Sequence, residues 1–196
     1  ADLKLKLVGS VSEGVPFVHR SVDVDDKAGD VLVKVVDNSV AAFLEYRNAA
    51  APKALEAAAQ AILQTWRQHQ RIVFFGAGNS GMVADDAQHK FFRLGLTSMS
   101  CSDGHVQLMN AALLRRGDCA VVISNSGLTR DLIAAAELAR QAGATTIAIT
   151  ASNSPLAKAC AIHLAADHPE GYDLYSPMVS RLLHLLIIDV LATCVA

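Results

Sequence analysis

Between residues 72 and 164 the chain repeats one pattern: a short strand-like run, apolar in most cases, a loop of small polar residues, then a helical stretch. The expected strands are Ile72-Val73-Phe74-Phe75, Thr97 to Cys101, Cys119 to Ile123, Thr145 to Ile149 and Ala161 to Leu164. Those at 72–75, 119–123 and 145–149 do not alternate apolar with polar residues, so they read as strands covered on both faces, which implies a parallel sheet. Helices are expected between them over residues 80–94, 106–114, 129–142 and 155–159. Strands and helices in alternation put the chain in the α/β class, with helices on both faces of the sheet.

Two amphipathic helices are expected before this array. One spans about residues 28–48, with Val31, Val35, Val36, Val40, Phe43 and Leu44 on its apolar face. The other starts at Pro52, a residue suited to a first helical turn, and runs to about residue 70 through Leu55, Ala59, Ile62, Leu63 and Trp66. After a polar connector over residues 166–176, a last helix over residues 177–195 is apolar on nearly every side. Such a helix must be covered all round. It is therefore expected to pack into a homodimer interface as well, with burial between the sheet and the two leading helices as the alternative. Residues 8–27 read as an extended, turn-rich connector, with a short strand around residues 15–22. The first residue is not Met, so the chain reads as a fragment that something preceded.

The chain is long enough for one domain at 196 residues, and 17 basic against 19 acidic residues leave a net charge of −2. That balance is unlike the basic footprint of a free-standing nucleic-acid binder. Cys101, Cys119, Cys160 and Cys194 form no CxxC pair and lie in or beside apolar segments, so all four are expected to be buried reduced thiols. No apolar run reaches the ~18 residues of a membrane span and no signal peptide opens the chain. A cytoplasmic protein without a membrane partner is expected.

Two loops carry the chemistry. Ser124-Asn125-Ser126-Gly127-Leu128-Thr129 links the third strand to a helix. Three hydroxyls and a glycine thus stand where a helix N-terminus exposes unpaired N–H groups and its positive dipole end, an arrangement suited to phosphate. One capping residue explains one hydroxyl per helix, not three in six residues. Gly76-Ala77-Gly78-Asn79-Ser80-Gly81 follows the first strand in the same way. Its GxGxxG spacing invites a dinucleotide, but the acidic residue expected about 20 positions later is replaced by Ser98-Met99-Ser100-Cys101. No cofactor and no metal are expected. In an open sheet of order 2-1-3-4-5 the first and third strands are neighbours, and the two loops face each other across the switch-point crevice. A phosphorylated small molecule fits there.

The GxGxS turn after strand one and the SxSGxT turn after strand three resemble SIS (sugar isomerase) domains, which bind phosphosugars. The resemblance covers about residues 28–195 and implies the three-layer, flavodoxin-like SIS fold with sheet order 2-1-3-4-5. Gly14-Val15-Pro16-Phe17-Val18-His19-Arg20 and Val35-Val36-Asp37-Asn38-Ser39, at their spacing from those turns, resemble the RpiR/HexR type of bacterial transcriptional regulator. That resemblance implies a helix-turn-helix domain before residue 1, a connector over residues 1–27 and a phosphosugar-binding domain over residues 28–196. DNA would be bound only through the missing domain. The implied effector is a sugar phosphate or sugar acid phosphate, 2-keto-3-deoxy-6-phosphogluconate in HexR-like members. Ser80, Ser124, Ser126 and Thr129 carry over as ligand-binding positions, with Gly78, Asn79, Asn125 and Gly127 contributing from the loops.

A phosphosugar isomerase is the alternative reading. Aldose–ketose isomerisation needs a general base at the C1/C2 protons. None of Glu13, Glu45, Glu56, Glu137 and Glu170 falls in a crevice loop, although Glu170 lies in the nearby connector. His105, with Asp103, follows strand two and is a candidate ligand contact, but the HGDLG-like segment of arabinose 5-phosphate isomerases is absent. Arg181, near the start of the last helix, is a second candidate contact for an acidic ligand, against the plainer reading of a salt bridge. His89 reads as paired with Asp85, four residues earlier on its helix. Asp37 and Asn38 read as surface or interface polars.

Overall fold

The computed structural model describes residues 21–168 and 179–196. The readings for residues 8–20, for Glu13 and Glu170, and for the start of the last helix at residue 177 lie outside the described residues.

Two helices lead, α1 (Ala28–Ala49) and α2 (Pro52–Arg67). There follow β1 (Ile72–Gly76), α3 (Asn79–Arg93), β2 (Ser98–Cys101), α4 (Gly104–Ala112), β3 (Cys119–Ser124) and α5 (Arg130–Gln141). The array ends with β4 (Thr145–Thr150), α6 (Pro155–Ala159), β5 (Ile162–Ala165) and α7 (Val179–Val195). All strand pairs are parallel, in the order β2-β1-β3-β4-β5. β1 and β3 are buried along their whole length, as unbroken apolar runs require.

Two cores form, one on each sheet face. Side chains from α2, α3 and α7 pack with Ile72, Phe74, Val121 and Ile147 on one face. α4, α5 and α6 pack with Val73, Phe75, Val122 and Ala148 on the other. This three-layer arrangement is the SIS-like fold expected from the sequence.

The last helix finds much of its cover within its own chain. Leu183, Ile187, Ile188 and Leu191 of α7 are buried in the first core. α1 lies on its outer side, and Lys90 of α3 holds Asp189 at 2.7 Å. Burial beneath the leading helices therefore accounts for most of its apolar surface, and that surface alone demands no dimer.

Smaller readings need correction. Cys194 is exposed, because it sits on the outward side of the last turn of α7; Cys101, Cys119 and Cys160 are buried thiols as expected. Asp85 accepts the Ser100 hydroxyl at 2.6 Å across to the edge strand rather than pairing with His89. Asn38 is buried against the body, since it faces inward with Ala41 and Ala42 on α1.

Candidate functional site

The register builds the site. Gly76 pairs with Ile123, so the chain leaves β1 and β3 side by side at the same sheet edge. From there α3 turns to one sheet face and α5 to the other. The segments 77–80 and 124–129 thus flank the point where strand order reverses, the usual ligand position in an open parallel sheet.

Each loop is shaped by a glycine. At Gly76 a Cβ would overlap the Ser80 carbonyl, so only glycine allows the first turn of α3 to fold so tightly onto β1. Gly127 has φ +64°, and a Cβ there would lie 2.6 Å from Thr150 Oγ1 and collide with Ser154. The neighbouring strand end fixes this second loop further. Ala151 N–H donates to the Asn125 carbonyl at 3.2 Å, and Leu156 N–H donates to that of Gly127 at 3.2 Å.

The hydroxyls divide into two kinds. Ser124 is buried, and its Oγ accepts from Gly127 N–H at 3.2 Å, bracing the loop from inside. Ser126 Oγ accepts from Leu128 N–H at 3.3 Å in a local turn. Accepting leaves each hydroxyl proton available for donation. Thr129 is the N-cap of α5, yet its side chain takes no N–H of that helix. The Ser80 hydroxyl, in the first turn of α3, makes no hydrogen bond among the described residues. Gly78 is the N-cap of α3, and Asn79 opens the helix, half-buried. Two helix N-termini with hydroxyls not engaged as caps can donate to a phosphoryl group from both sides.

Elements that the sequence reading missed hold these loops in place. Gln107 of α4 is fully buried, and its amide donates to the carbonyls of Gly76 at 2.8 Å and Cys101 at 2.9 Å. It therefore clips the ends of β1 and β2 together, while its Oε1 has no hydrogen-bond partner. Its only signal was a lone amide within the apolar stretch Val106 to Met109. The start of α4 also touches both binding helices. A Cβ on Gly81 of α3 would lie 2.9 Å from Ser102 Cβ, and one on Gly104 would lie 2.5 Å from Asp131 Oδ2 of α5.

The two candidate ligand contacts outside the loops differ in setting. His105 is exposed in the first turn of α4, next to Asp103, whose carboxylate accepts from Val106 N–H at 2.9 Å. Arg181 is exposed in the first turn of α7, with no ion pair among the described residues. α3 and α7 run the same way, since Lys90 meets Asp189 and Leu94 lies by Ala192. Both therefore start at the loop-bearing sheet edge, which brings Arg181 to that end of the molecule.

A cavity of about 490 Å³ lies at the opposite edge, lined by Gln64, Gln68, Arg116 and Gly143 among others. The ends of α2 and α5 face it, so helix carbonyls rather than N–H groups surround it, the wrong polarity for a phosphate.

The family model for the SIS domain matches residues 66–194. The bifunctional protein glk of Burkholderia orbicola (strain AU 1054) is 42% identical over 196 residues, all of this chain but 30% of that protein. The HTH-type transcriptional regulator HexR of Pseudomonas aeruginosa is 39% identical over 192 residues, covering 98% of this chain and 66% of the regulator. The chain thus spans about a third of the first of these relatives and about two thirds of the second. Among solved structures, the sugar isomerase domain of an RpiR transcription factor from Sphaerobacter thermophilus superposes with a TM-score of 0.74 at 26% identity. That match covers 84% of this chain and 89% of the other. With its paired loops, parallel sheet and matched sequence, the chain belongs to the SIS domain family and is similar to HexR regulators and to the sugar isomerase domain of an RpiR transcription factor.

Proposed function

We propose that this chain is the phosphosugar-sensing domain of an RpiR/HexR-type transcriptional regulator of sugar metabolism. The observation that carries the reading is the pair of hydroxyls, Ser80 and Thr129, left free of cap bonds at two adjacent helix N-termini. The phosphoryl group sits at the start of α5 and receives hydrogen bonds from Thr129, Ser126 and first-turn N–H groups. Ser80 and Asn79 donate from the facing loop. Gly78, Asn125 and Gly127 shape the loop backbone, and Ser124 holds it from beneath. His105 and Arg181 contact the rest of the ligand, which we take to be 2-keto-3-deoxy-6-phosphogluconate or a related sugar phosphate.

In the whole protein, residues 1–27 connect this domain to a DNA-binding helix-turn-helix domain, in a cytoplasmic homodimer. A ligand shifts such a regulator only by binding its two states unequally. The contacts of α4 with both α3 and α5 supply a route, since Ser102 lies against Gly81 of α3 and Gly104 against Asp131 of α5.

The isomerase reading retains one supporting observation, the exposed His105 beside Asp103 at the crevice edge. Against it, Glu45, Glu56 and Glu137 lie on α1, α2 and α5 rather than in the crevice loops. Incubation with matched aldose and ketose phosphates separates the two. The sensor reading expects a rise in melting temperature without interconversion, since ligand at about 100 times Kd adds roughly 2.7 kcal/mol. Turnover that depends on His105 would establish the isomerase instead.

A further inference from the structure

The sheet edge opposite the crevice gathers exposed positive charge. α2, α3, α5 and α6 all end there, each leading into the next strand, and each carries a basic residue in its last turn: Arg67, Arg93, Arg140 and Lys158. Arg115 and Arg116 join them from the loop between α4 and β3. All six are exposed, and none forms an ion pair among the described residues. Acidic groups of this region are already engaged. Arg71 holds Asp118 at 3.1 Å and Lys90 holds Asp189 at 2.7 Å. Asp23 and Asp26, ahead of α1, are held by Lys34 in the same way. Glu137 stands about one helical turn back from this edge on α5.

A cation in a last turn offsets the dipole of its own helix, which explains one residue per helix. Two observations exceed that. The helices from α2 to α7 all end at this edge, and at about half a negative charge each their C-termini supply roughly three, fewer than the six exposed cations. Arg115 and Arg116 lie beyond α4 altogether. Arg116 stands at the cavity of about 490 Å³ with Gln64 and Gln68, and Arg115 lines the adjoining hollow with His69 and Gln70. Guanidinium and amide donors therefore share one face. The whole-chain charge of −2 conceals this, because acids such as Asp103 and Asp131, at the starts of α4 and α5, stand at the other edge.

A DNA duplex presents one negative charge per ~1.7 Å of its axis. A sheet of five strands is about 19 Å wide, so cations spread over that width meet several phosphates at once. We propose that this edge is a sequence-independent docking face for the backbone of double-stranded DNA. The choice of DNA over another polyanion rests on the regulator reading, in which a tethered helix-turn-helix domain holds a duplex close by. The contacts come from the arginines at the rim of the cavity, not from its carbonyl-lined floor.

Fluorescence anisotropy with a labelled duplex of arbitrary sequence tests this on the chain itself. At about 50 mM salt the dissociation constant should lie at about 1–100 μM and rise steeply as salt is added. Arg115→Glu/Arg116→Glu should weaken binding about tenfold or more and flatten the plot of log affinity against log salt by about two. Arg47→Glu/Lys53→Glu makes the same charge change where α1 meets α2, at the other end of α2, and should alter affinity by less than about threefold. Both variants should keep the parent's melting curve. A parent that does not bind the duplex, or equal losses in the two variants, would overturn the proposal. Tighter binding of polyglutamate than of the duplex would overturn it too, and would assign the face to an acidic protein. Sugar phosphate titration tests the regulator reading on its own, so a failure here is told apart from a failure there.

Discussion

The two edges of the sheet use their polar residues in opposite ways. At the N-terminal edge the polar groups at the strand starts satisfy one another. Buried Asp118 accepts from Arg71 Nε at 3.1 Å, from Arg71 N–H at 3.2 Å and from Arg115 N–H at 2.9 Å. Arg71 Nη2 in turn donates to the Leu113 carbonyl. This knot ties the start of β1 to the start of β3. At the C-terminal edge the backbone is equally fixed, through Gly127, Gln107 and the β4–α6 loop, but the side chains of Ser80 and Thr129 stay free of partners. Closed polar networks stabilise a fold, whereas a rigid loop with unsatisfied donors binds something else.

If that contrast is right, substitutions at the two edges should separate stability from affinity. The largest effect belongs to Asp118→Ala. It strands the Arg71 guanidinium and two N–H groups, so chemical denaturation should show a loss of about 3 kcal/mol. Affinity for sugar phosphates should change less than twofold. Gly127→Ala comes next and affects both properties, because the side chain collides with Ser154 and the backbone holds φ +64°. About 2 kcal/mol of stability should go, with weaker ligand binding. Retained stability there would show that the loop is soft and would break the contrast.

The body of the domain offers a third test, through α7. Burial, and the charge of His168 after it, push His184 down to about 4. Unfolded, it ionises near 6.5, so between these values the unfolded chain binds more protons. Stability should be complete above about pH 6.5 and fall as pH drops toward 4, by about 2 kcal/mol between pH 7 and 5. Denaturation of His184→Gln over the same range should show a shallower slope, and an unchanged slope would assign the titration elsewhere. The smallest change in stability belongs to Ser80→Ala. Its melting curve should overlay that of the parent, while its sugar phosphate affinity drops about tenfold.

Much of this was legible in the sequence, for a physical reason. Strands buried on both faces need apolar runs, so Val121-Val122-Ile123 and Ile147-Ala148-Ile149 announced both the sheet and its parallel sense. Glycine at positions 76 and 127 marked where backbone had to crowd or turn left-handed. What stayed hidden depends on long-range proximity. Gln107 reaches a carbonyl 31 residues away, and the crowding of Gly104 comes from Asp131 on another helix. The orientation of α7 about its axis was equally unreadable, because apolar residues on every side leave the covered face undefined until α1 and α3 pack against it. Cys194 was misjudged for that reason.

The account rests on phosphate recognition by hydroxyls at the C-terminal edge, and calorimetric titration of the parent and of Ser80→Ala/Thr129→Val tests it most directly. The titrants are 2-keto-3-deoxy-6-phosphogluconate and other sugar phosphates, with the matching unphosphorylated sugars as controls. The parent should bind at least one sugar phosphate in a saturable one-to-one reaction and ignore its unphosphorylated form. The double variant, folded as judged by its melting curve, should bind about a hundredfold more weakly. Equal affinity in the two proteins, or equal affinity for the phosphorylated and unphosphorylated sugars, would contradict it.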